Sequence, residues 1–380
     1  MAATESSAGG AGRLSPLSTP SATRAVLEAH GIGTKYTLGQ NFLVNDDVLK
    51  KIIALAEVGE NDRVLEVGPG IGTLTIALLK HAASVIAIER DPDLPAVLAD
   101  TLHPWREKFA LIEKDALDVT RDDIVAAMVE IGGDTGYPDR ASSAANETAQ
   151  WAVSQSEDCL SESGYPVAPP QEDLQLSLPS KLVANLPYAV AATVVLDYFE
   201  SFPFLDSATI MVQKEVADRM VAAVGTKNYG AYTVKLGLYA EPAGRFAVGP
   251  GNFFPPPRVD SAVIRLNRRV PLMADGAPAS PEVIAAAALM ADAAFTNRRK
   301  TIANSCKTYF SGRGPILLGV ADSSAAEGAP TIALPDGAAT AERLPAIFEA
   351  AAIDPRRRGE TLTQQEFLAL GAALLRVTAA

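Results

Sequence analysis

The chain has 380 residues, of which 48% are hydrophobic and 21% charged, a composition typical of globular proteins with more than one domain. Two cysteines exclude a disulfide-rich scaffold and a cysteine-rich zinc site, and three dispersed histidines give no metal-ligand spacing, so we expect no metal. No apolar run reaches the roughly 18 residues of a membrane-spanning helix, and the first residues lack the apolar core of a signal peptide. These features predict a soluble cytoplasmic protein with reduced cysteines.

The formal net charge of -12 argues against a nucleic-acid partner. The charge is unevenly distributed, however. Residues 134–178 contain eight acidic residues and one arginine, and residues 312–350 contain five acidic residues and two arginines. The rest of the chain is nearly neutral and includes basic clusters at 298–300 and 356–358. A nucleic-acid partner is therefore not excluded.

The N-terminal residues 1–29 are rich in alanine, serine, glycine and proline and predict a disordered tail. Residues 45–56 then carry apolar side chains at helical spacing. Later segments each begin with a short apolar run and continue into a helical or turn-forming stretch; they start near residues 63, 84, 109, 181 and 207. Strands that alternate with helices in this way predict a parallel, helix-covered α/β sheet of the Rossmann-like class.

Two stretches interrupt this pattern. Residues 132–179 are rich in serine, alanine, proline, glycine and acidic side chains, and they predict a solvated surface insertion in the first domain. The composition changes again near residue 268, so we predict an α/β domain over 30–268 and a small helical domain over 269–380. Residues 311–345 predict a second, shorter insertion within the helical domain.

A glycine-rich loop follows the first strand of the sheet. The segment VLEVGPGIGTL places Gly68, Gly70 and Gly72 between a strand and a helix, where glycine permits a sharp turn and lets a ligand approach the backbone. The spacing differs from the G-x-G-x-x-G of dinucleotide-binding enzymes. Glu66, on the strand just before the loop, adds negative charge, which disfavours a diphosphate and favours a cationic ligand such as S-adenosylmethionine.

Acidic residues also close the next two strands. Glu89 ends the second strand, where a carboxylate can accept both hydroxyls of a ribose. Asp115 follows the third strand and can accept from an adenine amino group. Acids at strand ends are commonly only solvated, but the carboxyl ends of parallel strands meet at one edge of the sheet. Together, the loop and the two acids predict a site for an adenosyl ligand.

The tetrapeptide Asn185-Leu186-Pro187-Tyr188 follows the fourth strand and suits methylation of an exocyclic amine. The lone pair of adenine N6 is delocalised into the ring and is therefore a weak nucleophile. Acceptors on both N6–H bonds, the side-chain oxygen of Asn185 and the backbone carbonyl of Leu186, would draw that pair out of conjugation. Tyr188 can stack on a base taken out of its helix. Taken alone, the same residues also fit an Asn-Pro turn with a core tyrosine.

Eight motifs in this order resemble those of the ribosomal RNA small-subunit adenine dimethyltransferases, the KsgA family, which is related to the erythromycin-resistance rRNA methylases. They are KYTLGQNFLVND, EVGPGIGTLT, IERD, KDAL, NLPY, VQKEVADRM, FFPPPRVDSAVIRL and FTNRRKTIANS. The resemblance covers residues 35–266 and 295–305. The motifs VDSAVIRL and NRRKTIANS favour the housekeeping dimethylases over the resistance methylases.

The resemblance implies a class I methyltransferase sheet with a small C-terminal helical domain, and S-adenosylmethionine as the cofactor. The cofactor would be held by Asn41, Leu43, Gly68, Glu89, Asp115 and Asn185. Asn185 would lie between the cofactor and the target base, with Leu186 as the second acceptor. Tyr188 and Phe253 would sandwich the target adenine, and the helix that opens at Gln213 would be structural.

The implied reaction is N6,N6-dimethylation of two adjacent adenosines in the loop of a 3′-terminal hairpin of 16S rRNA, during biogenesis of the small ribosomal subunit. The partner would be 16S rRNA in the immature 30S subunit, and the enzyme would be a monomer. Beside such a site, Arg298, Arg299 and Lys300 would bind rRNA phosphates, although runs of charge are commonly just solvated. The acidic insertion would repel phosphate and tune binding without altering the chemistry.

Three alternative functions stay open. A DNA adenine-N6 methyltransferase uses a similar Asn-Pro-aromatic motif, and a monomethyl product would favour it. A resistance-type methylase would act on protein-free 23S rRNA. The chain could instead be chiefly a ribosome-assembly factor whose binding matters more than catalysis. A variant Asn185→Ala that loses methylation yet supports subunit maturation would favour that alternative.

Overall fold

The computed structural model describes residues 12–33, 41–132, 178–319 and 331–379. In chain order, its strands are β1 Phe42–Leu43, β2 Arg63–Val67, β3 Ser84–Ile88, β4 Phe109–Ile112, β5 Lys181–Asn185, β6 Ser207–Gln213, β7 Ala240–Val248, β8 Phe253–Phe254, β9 Ser261–Arg268, β10 Pro315–Gly319 and β11 Thr331–Asp336. Its helices are α1 Pro20–Ala29, α2 Asp46–Ala56, α3 Thr73–Leu79, α4 Pro95–Thr101, α5 Arg121–Gly132, α6 Ala191–Ser201, α7 Lys214–Met220, α8 Ala231–Gly237, α9 Pro281–Phe295, α10 Ile302–Ser311, α11 Gly337–Ala350 and α12 Gln364–Ala379. Within these described ranges, no helix is long and apolar enough to span a membrane.

Seven strands form the central sheet in the order β4-β3-β2-β5-β6-β9-β7. The first five are parallel to one another, whereas β9 is antiparallel to both β6 and β7. The parallel strands consist mainly of buried aliphatic residues, because helices cover both faces of the sheet and exclude water from each. The predicted Rossmann-like α/β fold is confirmed.

The order of the strands reverses between β2 and β5, since β3 and β4 follow on one side and β6 on the other. Open parallel sheets bind ligands at the carboxyl ends of the strands at such a point. One apolar cluster joins the sheet to α5 and α6, and a second joins it to α1, α2, α3 and α4. These two cores hold the carboxyl ends of β2 and β5 side by side.

The helices α9 to α12 form the small C-terminal domain that the sequence predicts. The helices α9 and α12 approach closely at Gly371, where an added Cβ would lie 2.6 Å from the backbone nitrogen of Ala287. The core of this domain also includes Tyr229, just before α8, and Val234, within α8. The hydroxyl of Tyr229 donates to the carbonyl of Leu362 at 2.8 Å. The helical domain is therefore fixed against the sheet domain through α8 and the residues before it.

The prediction of a disordered tail over 1–29 is wrong for its second half. The helix α1 begins after Thr19, whose hydroxyl accepts from the backbone N–H of Ala22, and Leu17 and Leu27 are buried in the core. The carboxylate of Asp46 on α2 accepts hydrogen bonds from the backbone N–H groups of Leu14 and Ser15, which precede α1. Composition pointed to disorder because so few apolar residues occur here, but the fold buries them. Residues 1–11 lie outside the described residues.

The two predicted insertions have different outcomes. The helix α5 ends at Gly132, and residues 133–177, which make up almost all of the predicted acidic insertion, lie outside the described residues. In the second stretch, β10 and β11 pair as an antiparallel ribbon after α10. Residues 337–345, however, form the first part of α11, with Leu344 in the core of the helical domain. The predicted end of that insertion is therefore too late, because an alanine-rich helix start resembles a loop in composition.

Candidate active site

A cleft of about 510 Å³ opens at the carboxyl ends of the parallel strands, where the strand order reverses. Most of the predicted site residues line it, namely Asn41, Leu43, Gly68, Glu89, Asp115, Asn185, Leu186 and Tyr188. Glu66 and Gln213 line the cleft as well, whereas Phe253 does not. Residues far apart in the sequence are thus brought together by the parallel order of the strands.

The glycine-rich loop turns sharply at the end of β2. Gly68 and Gly70 have φ angles of +71° and +60°, in the left-handed region that favours glycine. A Cβ at Gly70 would lie 3.1 Å from the ring of Phe42, so the loop and β1 are in close contact. The N–H of Gly68 donates to the carbonyl of Ile88 on β3 at 2.9 Å. The loop is therefore held by its neighbours, and its backbone borders the cleft.

Glu66 is a buried carboxyl group at the cleft, with only 1% of its surface exposed. Its Oε2 has no hydrogen-bond partner within the described part of the chain. Burial raises the pKa of Glu66 to about 8, with Thr75 opposing this effect and the charge of Glu89 adding to it. A buried polar atom without a partner costs free energy. This cost indicates a ligand that supplies a donor or a positive charge at Glu66.

The carboxylates of Glu89 and Asp115 lie just after β3 and β4. The Oε1 of Glu89 accepts from the backbone N–H groups of Arg90 and Asp91, each at 2.9 Å. Burial raises the pKa of Glu89, and those two N–H groups act in the opposite direction. Asp115 accepts from the N–H of Leu117 at 3.1 Å and from the guanidinium of Arg90 at 2.8 Å. Both carboxylates are thus oriented by the protein itself.

Arg90 is a cleft residue that the sequence did not indicate. Its guanidinium forms an ion pair with Asp115 and is half exposed at the cleft. The available signal was its position directly after Glu89, in the IERD motif, which places a cation next to the predicted ribose carboxylate.

Asn185 ends β5 beside the glycine-rich loop. Its Nδ2 donates to the backbone carbonyl of Asn41 at 3.2 Å, which sets the orientation of the amide and leaves Oδ1 as an acceptor. The N–H of Leu186 donates to the carbonyl of Met211 on β6 at 3.1 Å and fixes the start of the following turn. An acceptor at the end of β5 is therefore positioned through Asn41, the residue before β1, on one side and through β6 on the other.

The model of the ribosomal RNA adenine dimethylase family matches residues 33–329. The chain belongs to this family. The fold and cofactor class of this family therefore apply to the cleft just described, and the methyl donor is S-adenosylmethionine.

Individual members of the family match over almost the whole chain. The ribosomal RNA small subunit methyltransferase A of Geobacillus sp. (strain WCH70) is 32% identical over 361 residues, which cover 95% of this chain and 98% of that one. The protein of the same name from Enterococcus faecalis (strain ATCC 700802 / V583) is 32% identical over 362 residues, with 94% and 96% covered. A solved dimethyladenosine transferase from Plasmodium falciparum shares the fold, with a TM-score of 0.54 and 20% identity over 87% of this chain and 95% of that one.

The cleft of this dimethylase suits S-adenosylmethionine in its shape and in its donors and acceptors. The unpartnered oxygen of Glu66 matches the positive charge of the ligand. The glycine backbone at Gly68 allows close approach, because an added Cβ would point towards Pro187 at 3.5 Å and narrow the cleft. Carboxylates at Glu89 and Asp115 match the hydroxyl and amino groups of an adenosyl moiety. The residues present therefore fit the cofactor of the family.

Phe253, which the resemblance places on the target base, is buried in this structure. It is 4% exposed and pairs with Leu43 where β1 and β8 meet. The next residue, Phe254, is partly exposed, and the guanidinium of Arg24 lies 5.3 Å from its ring centre. Stacking of Phe253 on a base would require its ring to leave the core, so its role stays a prediction.

The three basic residues predicted to bind RNA differ in their surroundings. Arg298 donates to the carbonyl of Lys227 at 2.9 Å and forms an ion pair with Glu360 at 3.3 Å. Arg299 and Lys300 are exposed and form no ion pair with any residue that the structure describes. Arg298 thus joins the two domains, whereas the other two cations are available to a phosphate backbone.

Proposed function

We propose that this dimethylase transfers methyl groups from S-adenosylmethionine to N6 of two adjacent adenosines in the loop of a 3′-terminal hairpin of 16S rRNA. It would act in the cytoplasm, as a monomer, on the immature 30S subunit. The observation that carries the proposal is the position of Asn185, whose oriented amide lies at the same cleft as the carboxylates and glycines suited to the methyl donor. The family and the near-complete match to the small subunit methyltransferases support the choice of RNA.

The cofactor would be held at Asn41, Leu43, Gly68, Glu89, Asp115 and Asn185. Glu89 would accept from the ribose hydroxyls, and Asp115 from the adenine amino group, while Glu66 faces the charged end of the molecule. When bound, S-adenosylmethionine supplies an electrophilic methyl group. The protein fixes its orientation through carboxylates that are already held by backbone N–H groups.

Asn185 and Leu186 would prepare the target amine. The Oδ1 of Asn185 and the carbonyl of Leu186 accept the N6–H bonds, which turns the nitrogen lone pair out of conjugation with the adenine ring. Tyr188 stacks on the base and holds it in line with the methyl group. The nitrogen loses its extra proton to water after the transfer, so no strong general base is required of the protein.

Dimethylation places a further demand on the same residues. The N6-monomethyl base has one N–H left to donate, so one acceptor suffices in the second reaction. The base must bind again with its methyl group turned away from Asn185. Stacking on the Tyr188 ring contacts the face of the base and not its edge, so it allows the monomethyl base to bind in this second orientation.

Arg299 and Lys300 are expected to contribute to binding of the RNA backbone. In the variant Arg299→Gln/Lys300→Gln, the affinity for small-subunit RNA should fall, and the slope of log affinity against log salt should become shallower by about one to two. Filter binding at several salt concentrations measures both. Arg356→Gln is the matched control, because that exposed arginine is already paired with Asp354 at 3.0 Å. Equal losses in the two variants would contradict a specific role for residues 299 and 300.

The reaction is tested with labelled S-adenosylmethionine and unmethylated small subunits, followed by mass spectrometry of the RNA nucleosides. N6,N6-dimethyladenosine at two adjacent positions of 16S rRNA is the expected product. Label in 23S rRNA would favour the resistance-type reaction, and N6-monomethyladenosine in DNA would favour a DNA methyltransferase. Either outcome would overturn the proposed target while leaving the fold and the cofactor site unchanged.

A further inference from the structure

The hydroxyl of Tyr188 is hydrogen-bonded to Ser261, a residue distant from it in the sequence. The Oη of Tyr188 and the Oγ of Ser261 lie 2.7 Å apart and share one hydrogen bond. Ser261 is fully buried, while Tyr188 is partly exposed and lines the cleft. Buried hydroxyls are nearly always hydrogen-bonded, and Tyr188 is the partner that the structure gives to Ser261.

Ser261 is itself held firmly by the sheet. It is the first residue of β9, which lies between β6 and β7, and it pairs with Gln213 on one side and Val248 on the other. The carbonyl of the preceding residue, Asp260, accepts from the N–H of Lys214 at 2.9 Å. The Oγ of Ser261 is therefore a fixed point relative to the carboxyl end of the sheet.

The near end of Tyr188 is held by the turn after β5. Pro187 restricts the backbone before it, and the carbonyl of Pro187 accepts from the N–H groups of Val190 and Ala191 at 3.2 and 3.1 Å. The ring of a tyrosine can otherwise rotate about two side-chain bonds. With the backbone fixed at one end and the hydroxyl at the other, the plane of the Tyr188 ring has one preferred orientation.

We propose that Ser261 is a positioning residue of the methyl transfer, which acts through Tyr188 by fixing the plane on which the target adenine stacks. This inference rests on the proposed stacking role of Tyr188. A tilt of the ring would move N6 away from the methyl group, and small displacements of a reacting atom strongly reduce the rate. The second methylation should be the more sensitive, because the monomethyl base has lost one of its two N–H bonds and depends more on stacking.

The test compares Ser261→Ala, Tyr188→Phe and the double variant with the wild-type enzyme on unmethylated small subunits. Each single change removes the same hydrogen bond and keeps the aromatic ring. We expect kcat to fall about five- to tenfold in each single variant, the size expected from one buried hydrogen bond, with a smaller change in KM for the subunit. The share of N6-monomethyladenosine among the products should rise, while the Kd for S-adenosylmethionine stays unchanged. The double variant should resemble the single ones, because the two side chains act as a pair.

Thr209→Val is the matched control for perturbation of the sheet. Thr209 lies on the neighbouring strand β6, is 1% exposed, and has a hydroxyl without a partner among the described residues. This variant should keep the wild-type kcat and product ratio. Thermal unfolding of all variants separates loss of stability from loss of positioning.

Three results would overturn the inference. Ser261→Ala could match the wild type in kcat and in product ratio, which would mean that the hydrogen bond is dispensable. The effects of Ser261→Ala and Tyr188→Phe could add fully in the double variant, which would mean that Ser261 acts on something other than Tyr188. If the wild-type enzyme forms no dimethyladenosine on small subunits, the proposed target and this inference both fail. The wild-type reaction alone shows this outcome, so it cannot be confused with a failure of the inference about Ser261.

Discussion

Replacing Asn185 with alanine is expected to lower kcat for methyl transfer by about 10²–10³-fold, the loss that follows removal of one well-placed hydrogen-bonding group from an active site. The amide is held by its bond to the carbonyl of Asn41, and its Oδ1 is the acceptor that would turn the N6 lone pair towards the methyl group. Without that acceptor the lone pair stays conjugated with the ring. Single-turnover methylation of small subunits measures the effect directly.

The variant Asn185→Asp separates the acceptor from the donor of this amide. It keeps an acceptor oxygen but replaces the Nδ2 that donates to Asn41, and so brings a negative charge close to a carbonyl. We expect Asn185→Asp to retain more methylation than Asn185→Ala and to bind the cofactor more weakly. Asn185→Ala loses one proposed cofactor contact and should bind S-adenosylmethionine more weakly than the wild type, but calorimetry should still detect binding, because the other contacts remain. A kcat of Asn185→Ala within tenfold of the wild type would contradict the proposed role.

The same variant addresses the alternative that the protein acts mainly as an assembly factor. Because Asn185 lies inside the cleft, its truncation should leave the exposed basic residues Arg299 and Lys300, proposed to bind RNA, unaltered. Maturation of small subunits in cells that carry only Asn185→Ala would show that binding is the essential act. A maturation defect equal to that of a deletion would favour catalysis.

Replacing Glu66 with glutamine is expected to stabilise the cofactor-free protein while weakening cofactor binding. The pKa of Glu66 is about 8 in the fold, against an ordinary value of 4.5. Between these values the folded protein keeps a proton that the unfolded chain has lost, so stability falls as the pH rises from about 4.5 to about 8 and is constant above that. Glu66→Gln removes this pH dependence. We expect a gain of about 1–3 kcal/mol in the free energy of unfolding at pH 7 and little gain at pH 4.5.

Denaturant unfolding at pH 5, 7 and 9 measures this gain, which should increase with pH. Glu60→Gln is the matched control, because Glu60 is exposed and its replacement should not alter the pH dependence. A gain that is independent of pH would show that Glu66 is not the group responsible.

The change Glu66→Gln should weaken cofactor binding, although it stabilises the cofactor-free protein. A carboxylate that faces a positive charge binds it best when ionised, so the affinity of the wild type for S-adenosylmethionine should rise between pH 6 and 8, with release of a proton. Glu66→Gln should bind about 10- to 100-fold more weakly at pH 8, the cost of losing a hydrogen bond to a charged group. Calorimetry in buffers of different ionisation enthalpy detects the released proton. An unchanged affinity would mean that Glu66 does not face the charged end of the ligand.

The sequence was most informative where the chemistry is local. Glycines with positive φ are needed at the turn after β2, and the acids that follow β3 and β4 can be located from apolar runs and their ends. The motif at Asn185 and Tyr188 was recognisable because an amide, a proline and an aromatic residue follow a strand at fixed spacing. Parallel strands bring such ends to one edge, so the cleft itself could be predicted.

Other features depend on contacts between distant parts of the chain and have no local signature. The N-terminal helix α1 has few apolar residues, and its order depends on Leu17 and Leu27 reaching a core that later segments build. Arg298 carries the same charge as its two neighbours, and only the fold shows that it binds Glu360 and the carbonyl of Lys227. Net charge and composition give the number of residues of each type, but they do not show which residues contact one another in the fold.

The sequence by itself determined the class of fold and most of the candidate site residues at the cleft, because backbone conformation and the order of strand ends are locally encoded. The resemblance of its motifs to a known family indicated the family and its methyl donor. Only the tertiary structure decided that Phe253 is buried against Leu43, that Arg90 is paired with Asp115, and that the hydroxyls of Ser261 and Tyr188 share a hydrogen bond. Each of these joins residues from separate strands or loops. The physical reason is that burial and hydrogen bonding are properties of pairs, and such pairs exist only once the chain has folded.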